Sequence, residues 1–184
     1  MNYRWRTIDI VIASIIAVTF GVIFWAWNIV WGATDAAFAF FPPAQTLLYG
    51  VWLMPAVLGG LIIRKPGAAL FAEVVAASLS ALLGSLWGVD TLLSGLMQGA
   101  AAELVFAATR YRSYGFPTLA AAGLAASAAA FVHDWYFYYS GYATDVLLLT
   151  ALWMAVSGAI LLPLAAIGLV KALRPTGVLD GFPA

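Results

Sequence analysis

The stretch from Ile8 to Trp31, IDIVIASIIAVTFGVIFWAWNIVW, decides the fold. It is long and apolar enough to cross a bilayer, because a hydrocarbon core of about 30 Å needs about 20 residues rising about 1.5 Å each. Arg4 and Arg6 precede it, as in a signal peptide. The run is much longer than an h-region of about 7–15 residues, so it reads as a retained helix. Five further stretches have the same character: Ala44–Ile63, Ala68–Trp87, Thr91–Thr109, Phe116–Phe137 and Val146–Leu173. The expectation is an all-α integral membrane protein of six transmembrane helices. Residues 1–174 would form that domain and residues 175–184 a short cytoplasmic tail.

Composition supports this reading. Hydrophobic residues make up 65% of the chain and charged residues 9%, with a mean hydropathy of +1.00, whereas a soluble domain carries about 25% charged residues. Eight Lys and Arg balance eight Asp and Glu, leaving no surplus of base for nucleic-acid phosphates. The absence of cysteine excludes disulfides and thiolate metal sites.

Orientation follows from where the bases sit. Arg4 and Arg6 precede the first stretch, Arg64 and Lys65 join the second to the third, Arg110 and Arg112 join the fourth to the fifth, and Lys171 and Arg174 close the sixth. All eight therefore fall on one side, and the opposite loops carry Asp35, Asp90 and Asp145. Basic residues are retained on the cytoplasmic side, so both termini are placed there. In Arg64-Lys65-Pro66-Gly67, Pro and Gly turn the chain tightly between two helices.

Glu73, Glu103 and Asp134 stand inside the apolar stretches, the last beside His133. An ionisable group in hydrocarbon costs a few kcal/mol on insertion scales, so each faces a bundle interior, a cavity or a partner charge and is a candidate site residue. Glu73, Ser80 and Trp87 follow at seven-residue spacing and would line one face of the third helix. Ser94, Gln98 and Ala102 share a face of the fourth. Glu103 has an alternative role, pairing with Arg110 or Arg64. Gln98 has one too, as an interhelical hydrogen bond. A single His with no Cys nearby makes a poor metal site. Aromatic residues, 15% of the chain, cluster at Trp25 to Trp31, at Tyr49 and Trp52, and at Trp135 to Tyr139. Many would belong to the interfacial belt. Those turned inward over the acids would stack on a flat cation. Ala13, Ala17 and Gly21 form a small-residue stripe at four-residue spacing, which permits close approach of another helix, inside or outside the bundle.

No phosphate-binding Gly-x-x-x-x-Gly-Lys-Ser/Thr, no Gly-x-Ser-x-Gly and no His-Glu-x-x-His occurs, so neither ATP hydrolysis by the P-loop route nor hydrolytic chemistry is indicated. The remaining classes are a ligand-binding transport subunit and a self-sufficient secondary transporter using the acids as proton or cation relays. Such transporters commonly carry inverted repeats and broken helices, and neither is evident here.

Three stretches carry a resemblance: Arg64-Lys65-Pro66-Gly67-Ala68-Ala69-Leu70 followed by Glu73, Gln98-Gly99-Ala100-Ala101-Ala102-Glu103 leading to Thr109-Arg110, and Asp134 followed by Gly141-Tyr142. The chain resembles the YkoE-type substrate-binding S components of energy-coupling factor (ECF) vitamin transporters for thiamine or its hydroxymethylpyrimidine precursor. The resemblance implies six helices, a pocket opening outward, no enzymatic activity, no cofactor, and a place in a bacterial plasma membrane. It also implies partners: a transmembrane coupling subunit and two ATPases, with the Ala13, Ala17, Gly21 stripe as the docking surface. Glu73, Gln98, Glu103, Asp134, Trp87, Tyr49, Trp52 and Ser80 are the expected substrate contacts.

Overall fold

The computed structural model describes residues 3–183, so residues 1, 2 and 184 of the two expected segments lie outside it. Its regular elements are helices: α1 (Thr7–Phe38), a 3-10 segment (Pro42–Leu53) running into α2 (Met54–Ile63), α3 (Ala68–Leu82), α4 (Asp90–Ala108), α5 (Phe116–Phe137), α6 (Thr144–Val156), a π-helical turn (Ser157–Leu161), α7 (Leu162–Leu173) and a closing 3-10 turn (Arg174–Thr176). Among the described residues, five helical stretches are long and apolar enough to cross a membrane: α1, Pro42–Ile63, α4, α5 and Thr144–Thr176.

The sixth expected span is shorter than read from sequence. α3 has 15 residues, about 22 Å of helix, less than the hydrocarbon thickness. It stops at Leu82 because Gly84 and Gly88 take positive φ values of 92° and 57°, a backbone that glycine adopts without steric cost. The chain between them folds into the mouth of the bundle, where Ser85 accepts a hydrogen bond from Asn28 Nδ2 at 3.2 Å and lies 2.9 Å from Thr91 Oγ1. Trp87 therefore sits on this loop and not, as expected, on the third helix.

The second stretch was read as one helix, yet its first part is wound as a 3-10 helix. Pro42 and Pro43 open it, and Pro55 lacks the N–H that would reach Val51 in an α-helix, so Met54 N–H bonds Val51 O instead. Backbone groups freed by the tighter winding still need partners in a membrane. Trp27 Nε1 donates to Leu48 O at 3.2 Å, and Ser157 Oγ donates to Leu47 O at 2.7 Å while accepting Gly50 N–H at 2.8 Å. Ser157 opens the π turn, and beside it Gly158 meets Gly123 of α5 backbone to backbone: a Cβ on Gly123 would lie 1.9 Å from Gly158 O.

The small-residue stripe corrects the docking expectation. Ala13 and Ala17 are fully buried, and a Cβ on Gly21 would meet Leu79 Cβ at 2.7 Å. This face of α1 packs inside the bundle on α3, and the exposed face carries Ile15, Val18, Val22 and Ile29 instead. A second correction concerns Glu103. Its carboxylate accepts the N–H groups of Gly67 (2.7 Å), Ala69 (3.0 Å) and Leu70 (3.3 Å) and the Tyr111 hydroxyl (2.8 Å). It caps the N-terminus of α3, where orphan amides and the helix dipole favour an anion, and pairs with neither Arg110 nor Arg64. Burial, then this carboxylate, hold the Tyr111 hydroxyl above the ordinary phenol range, so it remains a donor.

A fourth acid within a span, Asp9, was not singled out in the sequence. It is buried at the basic end, bonded to Arg6 at 2.8 Å and to the Lys65 ammonium, which ties α1 to the α2–α3 turn. The tail returns to the same end: Leu179 and Phe182 are buried, Arg6 Nη2 donates to Gly181 O at 3.0 Å, and the Arg6 guanidinium stands 5.4 Å from the Phe182 ring centre.

Candidate functional site

A cavity of about 210 Å³ lies at the end of the bundle opposite the basic loops. Its floor is α3. Glu73 is fully buried there; one carboxylate oxygen accepts Ala56 N–H at 3.0 Å, and the other has no hydrogen-bond partner among the described residues. Ser80, two turns further along α3, also lines the cavity, and its buried hydroxyl is likewise unpartnered. Close backbone approach brings α4 alongside: a Cβ on Gly99 would meet Glu73 Cβ at 2.9 Å, and one on Gly95 would meet Ala77 Cβ at 2.5 Å. Gln98, one turn from Ser94, points into the cavity and donates to the Ser94 hydroxyl at 2.6 Å.

One wall is aromatic. Trp31 from α1, Tyr49 and Trp52 from the 3-10 segment and Trp87 from the α3–α4 loop form a connected set, with ring centres 4.9 Å apart for Trp31–Trp52, 5.2 Å for Tyr49–Trp52 and 5.5 Å for Trp52–Trp87. Trp52 Nε1 is fixed by Asn28 Oδ1 at 3.2 Å. The Ser157 contacts hold the backbone that carries Tyr49 and Trp52, so the π turn, remote in sequence, sets the position of this wall.

A second part of the lining is ionisable. His133 is buried with Nδ1 2.9 Å from Asp134 Oδ1 and Nε2 3.1 Å from Asp90 Oδ1, and the Tyr138 hydroxyl donates to the other Asp90 oxygen. This cluster ties the start of α4 to the end of α5. Burial, and then the Asp90 hydrogen bond, push the Tyr138 hydroxyl above the usual phenol range.

Of the expected contacts, Glu73, Ser80, Trp87, Tyr49, Trp52, Gln98 and Asp134 all line this one cavity, and Glu103 does not. Sequence reasoning did not single out Asn28 as a site residue, named Asp90 only as a loop acid and His133 only as the neighbour of Asp134, and placed Trp31 and Tyr138 only within the aromatic clusters. Asn28 had a signal, an amide inside an apolar stretch. Asp90 had none, because it reads as an ordinary loop acid.

A family model described as an ABC-type cobalt transport system permease component matches residues 8–129. The chain is 36% identical to the proposed HMP/thiamine permease protein YkoE of Bacillus subtilis (strain 168) over 179 residues, covering 97% of this chain and 89% of that protein. It superposes with a TM-score of 0.91 and 35% identity on a crystal structure of an S-component of an ECF transporter, over 98% of this chain and 91% of that one.

Proposed function

We infer the function from one premise: the chain belongs to the YkoE-type family of S components, the substrate-binding membrane subunits of ECF transporters. It is a multi-pass transport subunit of a vitamin importer and not an enzyme. The substrate we propose is thiamine or its hydroxymethylpyrimidine precursor, held in the cavity between α3, α4 and the aromatic wall. The observation that carries this is Glu73, a fully buried carboxylate with one oxygen unpartnered among the described residues, on the floor of a cavity with an aromatic wall.

A buried acceptor of this kind is costly unless something donates to it. An aminopyrimidine offers an amino N–H to Glu73 and a flat ring to Trp52 and Trp87, and the thiazolium of thiamine adds a positive charge for cation–π contact and for the carboxylates of Asp90 and Asp134. A cavity this large with tryptophan on one side suits an organic ligand better than a bare metal ion, which calls for a close shell of N, O or S ligands. Gln98 and Ser80 would supply further hydrogen bonds and Tyr49 a ring face.

The remainder of the proposal concerns assembly. The basic end is placed in the cytoplasm with both termini, the cavity opens outward, and a transmembrane coupling subunit with two ATPases drives delivery. The first test is calorimetric titration of the detergent-purified chain with thiamine and with hydroxymethylpyrimidine, beside mass spectrometry of small molecules released on denaturation. Saturable binding of either supports the proposal, and binding of neither overturns it.

A further inference from the structure

The Asp90–His133–Asp134 cluster holds one proton more than its simplest ionisation would give. A neutral imidazole has one N–H donor and one acceptor nitrogen, and a carboxylate only accepts. Here both ring nitrogens face carboxylate oxygens, at 2.9 Å and 3.1 Å. Each contact needs its own proton, so the three groups share two, either as an imidazolium between two carboxylates or as a neutral ring beside one carboxylic acid. Their net charge is then one negative. Tyr138 donates to the second Asp90 oxygen and so supplies neither of these protons.

All three residues line the same cavity as the unpartnered oxygen of Glu73. The ionisable groups facing the cluster are Asp134 with Tyr138 and Tyr139 from α5 and the turn after it, Asp90 from α4, Tyr49 from the 3-10 segment and, deeper, Glu73 from α3. α1 contributes the neutral Asn28, and among the described residues α6, α7 and every Lys and Arg are absent from the lining.

Resting on the reading that this cavity is the substrate site, we propose that the cluster is a proton-for-cation exchanger that makes binding of a cationic ligand pH-dependent and distinguishes it from a neutral one. A monocation entering the cavity stands against the carboxylates that hold the shared proton. Its field disfavours that proton, which leaves to solvent through the partly exposed Asp90 side. The charge balances: a cluster of charge minus one and a ligand of plus one become a cluster of minus two with bound ligand, plus one free proton. By linkage, affinity for the cation rises with pH, by at most about tenfold per pH unit, over the range in which the cluster releases its proton. A neutral ligand gains nothing from the exchange.

The test is calorimetry on the detergent-purified full chain with thiamine, in phosphate and in ACES, at several pH values from about 6 to 8, the range in which histidine ordinarily titrates. Buffers with different ionisation heats report the protons released. The expected result is release of a substantial fraction of a proton per thiamine near the acid end, with affinity tightening several-fold toward the alkaline end. Hydroxymethylpyrimidine, titrated beside thiamine in the middle of this range where thiamine still releases protons, should release none, and His133→Gln should abolish release for thiamine. Thiamine binding with no release and no pH dependence overturns the exchange while leaving the proposed function intact. No binding of either ligand at any pH overturns both. Release that persists in His133→Gln assigns the proton to another group such as Glu73 and overturns the exchange. Should His133→Gln fail to fold, the wild-type proton count still decides whether exchange occurs. Asp90→Asn, which leaves Nε2 without its carboxylate, must then reduce the release, and undiminished release overturns the assignment.

Discussion

Glu73 on α3 accepts the N–H of Ala56 on α2 at 3.0 Å with one carboxylate oxygen and turns the other, unpartnered, into the cavity. The first contact fixes the side chain, and the second oxygen is left to a ligand. Glu73→Gln can keep an oxygen on Ala56 while removing the charge with little change of volume. A lost charge-assisted hydrogen bond is worth roughly 1.5–3 kcal/mol, so affinity for thiamine should fall about ten- to a hundredfold with the fold intact. Calorimetry checks it, and unchanged affinity would return Glu73 to a purely structural role.

Glu103 makes the opposite prediction. Its oxygens are spent on three amides at the start of α3 and on Tyr111, so Glu103→Ala should cost about 1–3 kcal/mol of stability. Ligand affinity of the folded fraction should hardly change. Thermal unfolding in detergent beside a binding isotherm separates the two effects, and an affinity loss without a stability loss would place Glu103 in the binding machinery.

The contrast between these acids marks what the sequence made legible. An acid in an apolar stretch signals a buried partner, and that reasoning picked out both, but depth along a helix does not say whether the partner is a ligand or a helix end. The limits of α5 were read from hydropathy and agree with the structure, because Gly115 and Pro117 punctuate its start and a polar aromatic run its end. The 3-10 segment and the π turn were not legible. Their winding depends on Ser157 meeting Gly50 and Leu47 across the bundle, a long-range contact with no local periodicity. The shortness of α3 had a local signal in Gly84 and Gly88, outweighed by the hydropathy of the flanking leucines.

Gly158, with Gly123 facing it, is among the most sterically constrained positions near that turn. An added Cβ would lie 2.0 Å from Ser127 Oγ and 2.5 Å from Gly123 O, and the backbone atom has little room to yield. Gly158→Ala should therefore destabilise by about 1–3 kcal/mol or more, and should weaken ligand binding as well by shifting the segment that carries Tyr49 and Trp52. Gly168→Ala, in α7 with nothing within 4 Å, is the control and should be neutral or stabilising by about 0.5–1 kcal/mol. Equal unfolding temperatures for the two variants would contradict the packing described.

The proposed orientation rests on the eight-to-zero distribution of Lys and Arg. Asp145 and Arg112 are both exposed and lie at opposite ends of the bundle, so single cysteines there report on sidedness in a chain that has no cysteine of its own. In whole cells an impermeant thiol reagent should label the cysteine at 145 and leave that at 112 unlabelled until the membrane is opened. The reverse pattern would invert the topology.

The stripe of Ala13, Ala17 and Gly21 separates docking from internal packing. If it met the coupling subunit, a bulky residue at Ala17 would stop uptake while leaving binding to the isolated chain untouched. In the structure Ala17 is fully buried on the side of α1 that faces α3, and α3 carries Glu73. Ala17→Leu should then push α1 away from α3 at a cost of about 1–3 kcal/mol, lowering the unfolding temperature, the thiamine affinity and the uptake together. Val18→Leu, on the exposed face of the same helix, alters a surface in contact with lipid or a partner and should leave stability and binding unchanged. Measuring binding in detergent and uptake in cells for both variants distinguishes the two arrangements. Intact binding with abolished uptake in Ala17→Leu would mean that α1 turns this face outward when the transporter assembles. Joint loss would leave the lipid-facing side, with Ile15, Val18 and Val22, as the face of α1 available to a partner.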